Sequence, residues 1–215
     1  TLNSKGNLGY NGYNFKQGIG ITYKGSSSLL FEGGLLVAAE PTRISDNVRN
    51  GSWQTDNDFI PVTPTRLHYN TNLADQEVRG VMHDKYPATD QAGVQVRYKG
   101  MAWSREKDAD YVILEYYIKN ITQDTIKTLH AGLFADWNIG DQYLNVADWD
   151  EKNNMGYVYN LGYSLPYAGI KLLTNTAPSY YAIDNLAGGA STFAIADGFT
   201  TVEKYRSLSG GVARK

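Results

Sequence analysis

Nine short apolar runs, each closed by Gly, Asn, Asp or another turn-forming residue, constrain this chain more than any single motif does. They lie at 18–23, 29–38, 77–82, 94–103, 111–119, 126–135, 155–161, 169–173 and 192–196. Runs of this length, rich in Val, Ile, Tyr and Phe, read as strands rather than helices. In Val94-Gln95-Val96-Arg97-Tyr98-Lys99 the period of two is clean, which predicts one buried and one wet face. Residues 111–118 are apolar on nearly both faces, which predicts a central strand covered on each side. The polar stretch 120–125 is of hairpin length and predicts an antiparallel partner beginning at Ile126. Segment 40–73 carries Pro41, Pro61 and Pro64 among Arg, Asp and Asn, and predicts a long irregular excursion. Only 200–208 reads as a helix, with Thr200 or Thr201 as N-cap and Glu203 in the first turn.

The expectation is therefore all-β: a large two-layer antiparallel β-sandwich with a short C-terminal helix, forming a single domain over residues 1–215. The 17 Tyr, 4 Trp, 6 Phe and 22 Gly suit aromatic strands joined by glycine turns. The closing G-G-V-A-R-K follows a helix-like turn with no further strand, which suggests a piece of a longer polypeptide.

Composition removes several function classes. With no cysteine, disulfides, zinc–thiolate sites and thiol nucleophiles are all excluded, so stability must come from packing or from oxygen-ligated ions. A net charge of -2 provides no basic field, which argues against nucleic acid and anionic membranes as partners. No apolar stretch reaches the roughly 18 residues that a membrane span requires. The abundance of aromatic residues, Asn and Gly leans towards an exported protein.

Four chemistries remain to be weighed. A serine hydrolase would need Ser, His and a carboxylate in context, yet there is no G-x-S-x-G among the sequences around His68, His83 and His130. Paired carboxylates for glycoside cleavage are available in Glu115 with Asp136 or Asp148. Glu115 lies in an otherwise apolar strand, where it either carries a raised pKa or meets an Arg or Tyr partner. Oxygen ligands are densest after the 111–135 region. Asp136, Asn138 and Asp141, followed by Asp148 and Asp150, form a set of the kind calcium prefers. The D-x-N-x-G start resembles an EF-hand loop, but Asp141 replaces the sharp-turn glycine and Ala147 the closing glutamate, so it is not one. The competing reading is that these side chains simply build turns at strand ends. Finally, Trp137, Trp149, Tyr143, Tyr157 and Tyr159 lie beside the same acidic loops and form a candidate sugar-stacking surface, with core packing as the alternative.

The pieces N-G-Y-N-F-K-Q-G-I-G-I-T-Y-K-G-S-S-S-L-L-F-E-G-G-L-L-V-A, D-N-D-F at 56–59, E-Y-Y-I-K-N at 115–120 and G-L-F-A-D-W-N-I-G-D at 132–141 carry a resemblance. With the later A-D-W-D, M-G-Y-V-Y-N and F-T-T-V-E-K-Y-R-S-L-S-G-G, they resemble the non-catalytic β-rich region that follows the catalytic domain in certain large secreted bacterial subtilisin-like serine proteases. The H-G-T-H and G-T-S-M-A-x-P segments of such catalytic domains do not occur here. The resemblance implies an accessory domain that is structural or adhesive and sits at the cell surface or outside the cell. Its implied partner is the catalytic domain of the parent polypeptide, with a surface glycan as a further candidate partner. Any proteolysis would belong to that parent.

Overall fold

The alternation at Val94, Val96 and Tyr98 forms the centre of the core. A computed structural model describes residues 1–9, 20–162, 166–174, 176, 178–183 and 198–210. Among these, the strands are β1 (Leu8–Gly9), β2 (Leu30–Glu40), β3 (Arg43–Ser45), β4 (Ile60–Tyr69), β5 (Gln76–His83), β6 (Val94–Ala102), β7 (Val112–Asn120), β8 (His130–Trp137), β9 (Asn145–Asp150), β10 (Met155–Asn160) and β11 (Ala168–Lys171), with one α-helix, α1 (Thr201–Leu208). They assemble into three antiparallel sheets. β1 and β3 share one side of β2 while β8 runs along the other, β4-β5-β6-β7 form a meander, and β9-β10-β11 form a third sheet. The all-β architecture with a short C-terminal helix matches the expectation from sequence.

Leu35, Val37 and Ala39 of β2 face Met82 of β5 and Val94, Val96 and Tyr98 of β6, with Phe59 and Ala92 filling between them. The other face of β2 is also covered, by α1 and the segment after β3. Leu36 and Ala38 are buried, and a Cβ on Gly34 would sit 2.9 Å from Val48. Coverage on both faces makes β2, rather than β7, the central strand, in keeping with its apolar run from Leu35 to Ala39. Tyr98 reaches across the four-stranded sheet, donating to the Asn3 carbonyl at 3.1 Å and meeting Thr65 Oγ1 at 2.8 Å.

Three expectations need correction. β7 is not central: among the described strands it pairs only with β6, at the edge of its sheet, and none of its residues is fully buried. The 111–135 hairpin does not form, because β8 pairs with β2 from Ala38↔His130 to Leu30↔Trp137. Asn120 Nδ2 and Thr122 Oγ1 both donate to the Asp124 carbonyl, at 2.7 and 2.8 Å, in a local turn that precedes the passage to the other layer. The excursion at 40–73 contains a ten-residue strand, β4. Its two prolines are tolerated because β4 is an edge strand whose pairing with β5 shifts register between Pro61 and Thr63 and again between Thr63 and Arg66. Of the remaining apolar runs, 192–196 and residues 18–19 lie outside the described residues, and 20–23 forms no strand.

Candidate functional site

The segment between β3 and β4 carries Asp46 and Arg49, two of the buried charged side chains among the described residues. Asp46 opens it with a local turn in which the Val48 N–H donates to Asp46 Oδ1 at 3.0 Å. Arg49 then points inward, with its backbone N–H on Glu32 Oε1 (2.9 Å), its Nε on Glu32 Oε2 (2.8 Å) and its Nη2 on Asp136. The guanidinium lies over the ring of Phe199 at 4.3 Å and within 5.4 Å of Trp53 and 5.6 Å of Phe31. Its planar, weakly hydrated cation suits such an aromatic box. Burial, with Asp136 adding to it, pushes the Glu32 carboxyl up to about 7 against the opposing pull of Arg49.

A second buried cation lies along the same segment. Helix α1 is started by Thr200, whose side chain accepts from the Glu203 N–H while Glu203 reaches back to the Thr200 N–H, a complete capping box. One turn in, Lys204 Nζ donates to both oxygens of Asp46, at 2.8 and 2.9 Å, and to Asp56 Oδ2 at 2.9 Å. The side chains of Lys204 and Asp46 are 3% and 2% exposed. Burial alone would lower the Lys204 pKa, but Asp46 and Asp56 outweigh it and hold the ammonium above its ordinary value. Burial is the main cause that lifts Asp46 to about 6, and it also raises Asp58, whose oxygens accept from the Asp46 N–H at 3.1 Å and Gln91 Nε2 at 3.1 Å. A cleft of about 120 Å³ opens beside this group, lined by Ile44, Asp58, Asp90, Gln91 and Thr201 among others.

Among the described residues, Asp46, Asp56 and Asp58 are the acidic group whose oxygens lie within 4.8 Å of one another, the spacing a metal ion would need. The Lys204 ammonium stands within hydrogen-bond range of two of the three. The site lies in the segment that reads as irregular in sequence. Its only local signal is the spacing of acids in D-N-V-R-N-G-S-W-Q-T-D-N-D-F, and the cation comes from residue 204, far along the chain.

The five oxygen ligands expected from sequence are not part of that group. Asp136, at the end of β8, is paired with Arg49. Asn138 donates its backbone N–H to the Leu29 carbonyl at 2.8 Å. Asp141 caps a short 3-10 turn through Tyr143 N, and its carbonyl accepts from Asn145 and Asn160, each at 2.8 Å. Asp148 accepts from the Trp149 N–H at 2.7 Å, and Asp150 from the Asn153 N–H at 3.0 Å and side chain at 2.6 Å. The turn-building alternative describes Asp141 and Asp150, whereas Asp148 lies within β9 opposite Tyr157. The raised pKa weighed for Glu115 is also corrected. Glu115 lies on the outer face of an edge strand, where Tyr117 and then Lys99, at 2.9 Å, hold its pKa below the usual value. The histidines lie on three different strands: His68 on β4, His83 on β5 and His130 at the start of β8, edge-on to Tyr205.

An aromatic surface forms around Tyr157 and Tyr159 of the expected set, joined by Tyr167, while Trp137, Trp149 and Tyr143 are not part of it. Tyr157 and Tyr159 project from the same face of β10, and Tyr167 stacks with them, at centroid distances of 5.9 and 5.3 Å. Asp148, opposite Tyr157 in register, accepts from its hydroxyl at 3.1 Å, and this contact raises the phenol pKa. Tyr167 is 68% exposed. On the opposite face Trp149 stacks on Tyr180 at 5.2 Å, and Gly156 is required between the strands because a Cβ there would lie 2.4 Å from the Tyr180 ring. Tyr143 is exposed on its turn, and Trp137 closes β8 half-buried. No family model, curated protein or solved structure matches the chain.

Proposed function

We propose that this chain is a non-catalytic adhesive domain that takes an extended glycan on the tyrosine face of the β9-β10-β11 sheet. The observation that carries the reading is the Tyr157–Tyr159–Tyr167 cluster. Three neighbouring rings on one sheet face offer π surfaces for the C–H faces of successive sugar rings, and their hydroxyls and the Asp148 carboxylate can hydrogen-bond sugar hydroxyls. In this reading Tyr143 lies on a neighbouring turn, while Trp149 supports the sheet from behind. The resemblance to the region after the catalytic domain of secreted subtilisin-like proteases places such a domain outside the cell, where it would hold a parent protease at a glycan-bearing surface.

A glycan array with the purified chain tests this, followed by calorimetry on any ligand found. The expected result is a binder whose affinity falls about tenfold or more in Tyr157→Ala and in Tyr159→Ala, corresponding to about 1.4 kcal/mol per lost ring. Absence of any binder, or unchanged affinity in both variants, sinks the proposal.

A further inference from the structure

We propose that Lys204 and Asp46 are the two halves of a self-forming amide cross-link, with Asp56 as the proton-transferring residue. This inference is independent of the tyrosine face.

The geometry supplies each part that condensation of an amine with a carboxyl requires. Lys204 Nζ stands 2.8 and 2.9 Å from the two oxygens of Asp46. A nitrogen so placed lies within about 3.2 Å of the carboxyl carbon, inside the range of a near-attack arrangement. The Val48 N–H, 3.0 Å from Asp46 Oδ1, faces the oxygen that would carry negative charge in a tetrahedral intermediate. Asp56 Oδ2 is 2.9 Å from Nζ, and its Oδ1 is held by Asn50 Nδ2 at 2.9 Å, so a second carboxylate is positioned on the nucleophile. Burial lifts the Asp46 carboxyl towards neutrality, while Asp46 and Asp56 hold Lys204 charged, so the proton transfer that frees the amine is the uphill step of the condensation.

A proton passes from the Lys204 ammonium to Asp46 Oδ2, giving a neutral amine beside a neutral carboxylic acid. Nζ attacks the carboxyl carbon from above the carboxyl plane, forming the C–N bond and leaving the oxyanion on Oδ1 against the Val48 N–H. Asp56 takes one proton from the nitrogen and returns it to Oδ2, and the Oδ2–carbon bond breaks with loss of one water. The product is a secondary amide. No oxidant or cofactor is consumed, and the adjoining cleft offers the water an exit. The bond would tie the C-terminal helix to the strand layer across 158 residues of sequence, in a chain with no cysteine for a disulfide.

The test is mass spectrometry of the purified chain after folding, under denaturing conditions. The expected intact mass is lighter than the sequence by one water. Trypsin should fail to cut after Lys204 and should release residues 44–49 joined to 172–206. Lys204→Arg keeps the cation but cannot form the amide, and should show the full sequence mass. Asp56→Asn keeps both reacting groups and should accumulate the cross-link more slowly. A full sequence mass for the parent chain overturns the proposal without reference to any variant. So does loss of water with Lys204 still cleaved, which would indicate cyclisation at Asp46-Asn47 instead.

Discussion

At the scale of single residues, the charges that matter are those with no access to water. Arg49 satisfies Glu32 and Asp136 at once while its flat face packs on Phe199. Lysine keeps the charge but loses the forked donors and the stacking, so Arg49→Lys should destabilise the chain by about 3 kcal/mol or more, read as a lower urea midpoint. Glu32 provides a sign test. Its carboxyl titrates near 4.5 in the unfolded chain and at about 7 when folded. Across that interval the native state holds a proton that the unfolded chain has released, so stability should fall as pH rises and the melting temperature should be higher at pH 5 than at pH 7.5. Asp58, raised by burial, acts in the same direction, as does Asp46, lifted from 3.8 to about 6, wherever its carboxyl is free. A melting temperature that rises between pH 5 and pH 7.5 would contradict this assignment. Packing is as sensitive as charge: a Cβ at Gly80 would lie 2.3 Å from Tyr98 Oη, so Gly80→Ala should cost about 1–3 kcal/mol by overpacking in the same denaturation assay.

At the scale of elements, α1 depends on its cap more than most eight-residue helices do, because it is too short to persist alone and delivers Lys204, Tyr205 and Leu208 to their contacts. Thr200→Ala removes the side-chain half of the capping box, leaving only the backbone N–H of residue 200 on Glu203, and should cost about 1 kcal/mol, visible as faster amide exchange in α1 than in β6. This helix was readable from sequence, since its cap, acidic first turn and length are all local. β5, β6 and β10 were equally readable, because strict alternation or β-branched density reflects a face that stays buried. β4 was not, because its prolines carry the usual meaning of a breaker and only its edge position makes them harmless. The misplaced hairpin has a similar cause. Loop length after β7 permits a turn-back, but the apolar character of β2 on both faces is what draws β8, and that is a property of a different segment. The site followed the same rule. The acids at 136–150 stood out because they are close in sequence, whereas Asp46, Asp56 and Lys204 meet only in space.

At the scale of the whole molecule, an internal cation already stands against the acidic group formed by Asp46, Asp56 and Asp58. Lys204 provides from within the positive charge that a divalent ion would bring to Asp46 and Asp56. The melting temperature should therefore be the same within about 1 °C in excess calcium and in chelator, and a rise of several degrees with calcium would instead favour the oxygen set at Asp136, Asn138, Asp141, Asp148 and Asp150. The two buried cations also join layers that the sheets leave separate: Arg49 ties the segment after β3 to β2 and β8, and Lys204 ties the helix to that same segment. The pairing of Asp46 with a lysine 158 positions later sets an order of events during synthesis. Until residue 204 has left the ribosome, Asp46 lacks the ammonium that pairs with it, so the docking of α1 that closes this ion pair is necessarily among the last contacts the growing chain can make.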